Sequence, residues 1–78
     1  MSREEYVKYV GVQYNQVLRP YRELLGDGIS SISNSFIDVW ERLGVAIGLS
    51  KEEAEFIVEC IVEGEVNILQ IWLNKTKD

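Results

Sequence analysis

The chain has 78 residues, of which 46 % are hydrophobic, and its formal net charge is −5 from 13 acidic and 8 basic residues. This acidic balance argues against nucleic acids and acidic membrane surfaces as partners, because both attract basic proteins. One cysteine and no histidine exclude an intrachain disulfide and a structural zinc site. A core this small contributes only about 3–5 kcal/mol. We therefore expect one helical domain over residues 1–78, without a cofactor, that gains stability by self-association.

The N-terminal sequence MSREEYVKYV opens with charged residues and lacks the apolar core of a signal peptide. No run of about 18 uncharged apolar residues occurs further along the chain, so the sequence predicts no membrane span. On these grounds we expect a cytoplasmic protein.

A capping box begins the first predicted helix, with Ser2 as the N-cap and Glu5 three residues later. The helix that follows has one apolar stripe, which consists of Tyr6, Val7, Val10, Tyr14, Val17, Leu18, Tyr21, Leu24 and Leu25. Proline lacks an N–H and disfavours helical geometry at the residue before it. Because the stripe continues beyond Pro20, we predict a kinked helix over residues 3–25, with a clean break at Arg19 as the alternative.

A turn at Gly26-Asp27-Gly28 separates this helix from the second one. Three serines are candidate N-caps and leave the start uncertain by about one turn; they are Ser30, Ser31 and Ser33. The apolar stripe of the second helix consists of Ile29, Ile32, Phe36, Ile37, Val39, Trp40, Leu43 and Ile47. Gly44 lies on the same face, where it would allow a neighbouring helix to approach closely.

A tight connection leads to the third apolar segment. Gly48 ends the second helix, and Ser50 with Glu53 forms another capping box. If residues 50–73 form one helix, they present a broad apolar stripe. Its members are Ala54, Ile57, Val58, Ile61, Val62, Ile68, Leu69, Trp72 and Leu73.

Gly64 is the weak point of this third segment, because glycine readily leaves the helical conformation. A break there would make residues 66–75 a fourth, short helix. A strand over residues 66–73 is the other alternative, since VNILQIWL is rich in residues that favour strands. A single strand has no pairing partner in this chain, so we favour helix.

Several residues of the third segment point away from its main stripe. Phe56, Cys60 and Ile71 lie near the opposite side, with Gly64 between them. A helix that is apolar on two sides needs two partners, and burying Phe56 or Ile71 is worth about 1.5–3 kcal/mol each. We predict that these four residues form the contact between two copies of the chain. The rival interpretation makes the third helix the centre of a single chain.

Acidic residues recur at helical spacing along the same segment, namely Glu52, Glu55, Glu59 and Glu63. An ordinary solvated helix face is the simpler interpretation of this acidic strip. The functional interpretations are a docking strip for a basic protein partner and a mimic of a phosphate backbone.

The helix–turn–helix order over residues 43–62 is compatible with a DNA-reading motif. The reading helix would then present Lys51 together with Glu52, Glu53 and Glu55, which brings three carboxylates to the phosphates. A plain helical hairpin is the better interpretation.

No catalytic constellation is evident. Cys60 lacks a histidine to act as its base, and we interpret it as a small buried hydrophobe. Three tyrosines lie on the first apolar stripe, where we expect their rings in the core and their hydroxyls at its rim; they are Tyr6, Tyr14 and Tyr21. Tyr9 and Val12 fall off this stripe and should be exposed.

We therefore predict an all-α fold, a small bundle of three helices completed by dimerisation, with a break of the third helix at Gly64 as an option. The function that fits is a non-enzymatic interaction or regulatory protein that acts through protein–protein contacts as a homodimer. A helix-turn-helix-like DNA-binding regulator is the alternative. An acidic nucleic-acid mimic, or inhibitor of a basic partner, is a weaker one.

Overall fold

The computed structural model describes residues 1–26 and 30–76 of the chain. The described helices are α1 (Arg3–Gln13), α2 (Arg19–Leu25), α3 (Ser30–Ala46), α4 (Lys51–Val62) and α5 (Val66–Thr76), and a π-helical segment, Tyr14–Leu18, joins α1 to α2. Because α1, the π segment and α2 are continuous, these residues form four helical rods and contain no strand. The all-α prediction is confirmed. Four rods replace the three helices of the main prediction, because the third segment is divided in two, as the predicted option of a break at Gly64 has it.

The first rod passes through Pro20 without interruption, so the alternative of a break at Arg19 is wrong. Arg19 keeps helical dihedral angles (φ −60°, ψ −49°), and its N–H donates to the carbonyl of Tyr14, five residues earlier. In a regular α-helix the proline ring collides with the carbonyl four residues before it. The wider π turn leaves room for the ring. The predicted irregularity thus lies in residues 14–18, one turn before the proline.

α3 begins at Ser30, so Ser31 and Ser33 lie inside the helix and do not cap it. Ser33 is buried, and the side chain of Ser35 donates to the carbonyl of Ser31 at 3.0 Å. Gly26 follows α2 with a φ of +64°, as a helix-ending glycine does. Three further residues of the predicted turn and stripe lie outside the described residues; they are Asp27, Gly28 and Ile29.

The connection between α3 and α4 matches the prediction. Gly48 has a φ of +108°, and the N–H of Leu49 donates to the carbonyl of Gly44 at 3.0 Å, which ends α3. The Ser50 side chain then accepts from the N–H of Glu53, whose carboxylate accepts from the N–H of Ser50. The predicted capping box between Ser2 and Glu5 has the same pair of bonds.

A second helix-ending turn separates α4 from α5. Gly64 has a φ of +77°, and the N–H of Glu65 donates to the carbonyl of Cys60 at 2.7 Å. The single helix over residues 50–73 is therefore wrong, because the positive φ of Gly64 ends α4 there. The alternative of a break at Gly64 followed by a fourth short helix is confirmed. The strand over residues 66–73 is also wrong, since these residues belong to α5.

α4 is the central helix, and it packs against α1, α3 and α5. The buried apolar residues come from all of these elements and from the π segment; they are Tyr6, Val10, Leu18, Trp40, Ala54, Ile57, Val58, Cys60, Ile61 and Leu69. Phe56 is half-buried, with its ring centroid 5.3 Å from that of Trp72 in α5. The second apolar side of α4 is thus covered by its own chain, as in the rival interpretation.

Several residues assigned to the core from the sequence are exposed. In α2 no residue is buried, and the main packing neighbour of α2 is the π segment of the same rod. Exposed stripe positions also occur in α3 and α5. The stripe residues affected are Val17, Tyr21, Leu24, Leu25, Ile32, Val39 and Ile68. Tyr9 and Val12 are exposed as predicted.

Candidate functional site

An open groove of about 280 Å³ lies between α3 and α4. Its floor is apolar, formed by Ile37 of α3 and by Val58 and Val62 of α4, which are buried or half-buried. Its rim consists of the carboxylates of Glu41, Glu55, Glu59 and Glu63. We call this feature the acidic groove.

Helical periodicity explains why these side chains meet. Glu55, Val58 and Glu59 are three or four residues apart on α4 and share one side of it, and Val62 continues that side one turn later. The two helices can approach because Gly44 has no side chain. A methyl group on Gly44 would lie 2.9 Å from the Cβ of Ala54.

The negative charge of the acidic groove is poorly compensated. The pKa of Glu41 is raised, first by burial and then by the neighbouring carboxylates of Glu55 and Asp38, while Lys51 opposes the shift. Glu41 itself forms no ion pair among the described residues, and the nearest pair on the rim joins Lys51 to Glu55 at 3.9 Å. The four carboxylates that line the acidic groove, with no cation among its lining residues, give it a negative potential that attracts positively charged groups.

The structure brings together most of the predicted acidic strip. Glu55, Glu59 and Glu63 line the acidic groove, whereas Glu52 is exposed in the first turn of α4 and does not line it. Sequence reasoning missed Glu41. The apolar stripe of α3 indicates which face packs inwards but not which helix it contacts, so a carboxylate on α3 could not be assigned to the strip of another helix.

The four residues predicted for self-association do not form one exposed surface. Phe56 is half-buried against Trp72, and Cys60 is only 4 % exposed. Gly64 lies in the exposed turn between α4 and α5, and Ile71 is 56 % exposed on α5. The premise of a continuous two-sided helix is wrong, and a contact between copies at these four residues stays a prediction.

An arginine that sequence reasoning did not place holds three helices together. Arg3 of α1 donates to the Glu53 carboxylate at 2.7 Å and to the Thr76 carbonyl at 3.2 Å, and its guanidinium lies 5.1 Å from the centre of the Trp72 ring. Fifty residues separate Arg3 from Glu53, so no local pattern reveals this pair. The Arg3 side chain is thus committed to contacts within the fold.

Cys60 is a buried hydrophobe, as predicted. Burial is the main cause that raises the pKa of its thiol, and the nearby carboxylates of Glu65 and Glu59 raise it further. The thiol is therefore neutral at ordinary pH and has little nucleophilic character. Among residues 1–26 and 30–76, no three side chains of the metal-binding types are grouped to hold a metal ion.

A second, larger groove of about 530 Å³ runs between the first rod and the turn that joins α4 to α5. Its walls are mostly apolar and include Val7, Tyr14, Ile61, Val66 and Leu69. Arg19 and Glu63 bring one charge of each sign. Because these two charges balance, this neutral groove does not favour a partner of either charge, unlike the acidic groove.

Comparison with models of known protein families, with curated proteins and with solved structures gives no match to this chain. Within the part of the chain that the structure describes, no helix has both the length and the apolar composition that a membrane crossing requires.

Proposed function

We propose that this chain is a non-enzymatic interaction protein that forms a homodimer in the absence of its partner and binds a basic amphipathic helix of another protein in its acidic groove. The supporting observation is the combination of an apolar floor with a rim of four carboxylates. An amphipathic helix presents an apolar stripe between its polar flanks. Lysine or arginine on those flanks would meet the carboxylates while the stripe covers the floor.

The charge distribution favours this proposal over DNA binding. The first turn of α4 carries Lys51, Glu52 and Glu53, so a helix that entered a DNA groove by this end would meet the phosphates mainly with carboxylates. An acidic mimic of nucleic acid would use the same charges as the proposed docking site. The apolar floor favours a protein helix, because a phosphate-binding surface has no need of an apolar strip.

Peptide binding tests the proposal. The probe is a fluorescent amphipathic peptide of about 18 leucine and lysine residues with helical periodicity, and the reference peptide has glutamate in place of lysine. Fluorescence anisotropy should show that the basic peptide binds and the acidic peptide does not. Added salt should weaken this binding, because the rim charges are solvent-accessible. Glu59→Lys should weaken it by about tenfold or more, since a like charge then faces the peptide.

Glu52→Lys is the matched control. It makes the same charge change on the same helix but outside the acidic groove, and it should leave peptide affinity within about twofold of the wild type, apart from weak long-range screening effects. Equal binding of the basic and acidic peptides, or equal effects of Glu59→Lys and Glu52→Lys, would contradict the proposed site.

A further inference from the structure

The α2 helix, residues 19–25, is an apolar arm whose large side chains are about half or more exposed among the described residues. Leu24 is 83 % exposed, and Leu25 and Tyr21 are 54 % and 45 % exposed. Leu24 and Leu25 follow Tyr21 by three and four residues, so the three side chains share one face of the helix. A soluble protein rarely leaves such a group of large apolar side chains in water without a partner.

This arm also carries positive charge beside its apolar face. Arg22 borders the stripe of Tyr21 and Leu25, and its side chain forms no ion pair among the described residues. Arg19 is paired with Glu23 at 3.2 Å, and both are largely exposed. The arm is thus a short amphipathic helix with an available cation, which is the kind of segment that the acidic groove suits.

We infer that a second copy of this chain covers the arm, with the α2 arm of each copy seated in the acidic groove of the other. The apolar stripe of Tyr21, Leu24 and Leu25 then covers the floor, and Arg22 faces the carboxylate rim. Two reciprocal contacts related by a two-fold axis close the assembly without leaving a free arm or a free groove. The inference deepens the proposed function, since it names the occupant of the same groove in the absence of another partner.

Charge selects the acidic groove over the larger neutral groove as the seat of the arm. The neutral groove offers one carboxylate, Glu63, and the guanidinium of Arg19, which is already paired with Glu23, so it attracts Arg22 of a second copy only weakly. The acidic groove offers four carboxylates and no cation among its lining residues. Attraction between opposite charges across an interface fixes which surfaces pair.

Charge reversal tests the contact in the full-length protein. Arg22→Glu and Glu59→Lys alter exposed side chains on the arm and on the groove, and each should weaken self-association by about tenfold or more, measured by analytical ultracentrifugation. An equimolar mixture of the two variants should associate again with nearly wild-type affinity, because both reciprocal contacts then join opposite charges. Lys8→Glu, an equal charge change at an exposed position outside α2 and the groove, should leave self-association unchanged.

Three outcomes would overturn the inference. The first is a wild-type protein that is monomeric at about 100 μM, well above the dissociation constants of ordinary specific dimers. The second is a mixture of the two variants that fails to associate, which would place the dimer contact elsewhere, with the neutral groove or the exposed Ile71 surface as its seat. The third is a Leu24→Gln variant that associates as strongly as the wild type.

The proposed function can fail separately. The basic peptide should bind the Arg22→Glu variant, whose groove is free, and should dissociate the wild-type dimer by competing for the groove. If the variants restore each other but no basic peptide binds, the arm contact stands and the function as a receptor for other proteins is wrong. If the peptide binds and the mixture does not associate, the function stands and the arm contact is wrong.

Discussion

The phenol ring of Tyr6 on α1 lies directly against Gly44 of α3. A methyl group on Gly44 would come within 2.8 Å of the Tyr6 hydroxyl oxygen and 2.9 Å of the ring carbon that bears it. That hydroxyl is fully buried and donates to the Trp40 carbonyl at 2.7 Å, so it has no room to move away. Gly44 therefore sets how closely three helices can pack, since Ala54 of α4 adjoins the same point.

Gly44→Ala should destabilise the protein by about 1–3 kcal/mol, because the added methyl group overpacks a rigid contact. Alanine normally stabilises a helix interior by about 1 kcal/mol over glycine. A loss of stability in Gly44→Ala would therefore be opposite to the effect that helix propensity predicts. Gly11→Ala is the matched control. Its methyl group would have nothing within 4 Å, and that variant should be as stable as the wild type or slightly more so. Urea denaturation of both variants decides the matter, and a Gly44→Ala variant as stable as Gly11→Ala would refute the assigned role.

The pair of Arg3 and Glu53 should show measurable coupling. Both side chains are 32 % exposed, so solvent screening limits their interaction to about 0.5–1 kcal/mol. Glu53→Gln keeps an acceptor for the capping box and removes the charge, whereas Arg3→Met removes the guanidinium from Glu53, Thr76 and Trp72. A double-mutant cycle from these two changes isolates the pair. Additive losses of stability in low salt would mean that the ion pair contributes nothing.

Local patterns predicted most of the backbone correctly. Both capping boxes and the glycine that ends α3 depend on side-chain and backbone bonds within a few residues, and such bonds can be inferred from the sequence. The π segment could not be predicted. It depends on how the rod accommodates Pro20 while Leu18 stays buried, and this balance is settled by packing against other helices.

The candidate site was only half predictable for the same reason. Glu55, Glu59 and Glu63 follow the period of one helix, but Glu41 joins them through the contact between two helices. Apolar periodicity also failed to distinguish a covered stripe from an uncovered one. Leu18 and Leu24 lie on the same predicted stripe, yet Leu18 is fully buried and Leu24 is 83 % exposed, because only the first is opposite another helix.

Gly64 should resist substitution because of its backbone conformation alone. Its φ is +77°, a backbone angle that residues other than glycine rarely adopt, whereas an added Cβ would meet nothing within 4 Å. Gly64→Ala should therefore destabilise by about 1–2 kcal/mol. Gly64→Asn should lose less, because asparagine tolerates the left-handed region better. Thermal denaturation of the two variants checks this order, and equal losses would indicate a cause other than backbone strain.

Alkaline pH should destabilise the protein through Tyr6. Its pKa is raised to about 12, mainly by burial and further by the carboxylate of Glu41. The folded state thus holds the phenolic proton more tightly than the unfolded state, whose tyrosine ionises near its ordinary value of 10.0. The stabilising effect is complete below pH 10 and is lost as the pH rises towards 12, by about 1.4 kcal/mol per pH unit.

Tyr6→Phe separates this effect from the ionisation of the other tyrosines, which both proteins share. At neutral pH the variant should be less stable than the wild type by about 0.5–1.5 kcal/mol, because it lacks the hydrogen bond to the Trp40 carbonyl. Above pH 10 the phenol of the unfolded wild type releases its proton, whereas the buried phenol of the folded wild type keeps it, so ionisation favours unfolding of the wild type only. The stability advantage of the wild type should therefore shrink and then reverse near pH 11. Urea denaturation at successive pH values measures the difference between the two proteins. A difference that stays constant from pH 8 to about 11.5 would show that the Tyr6 phenol is not held neutral by burial.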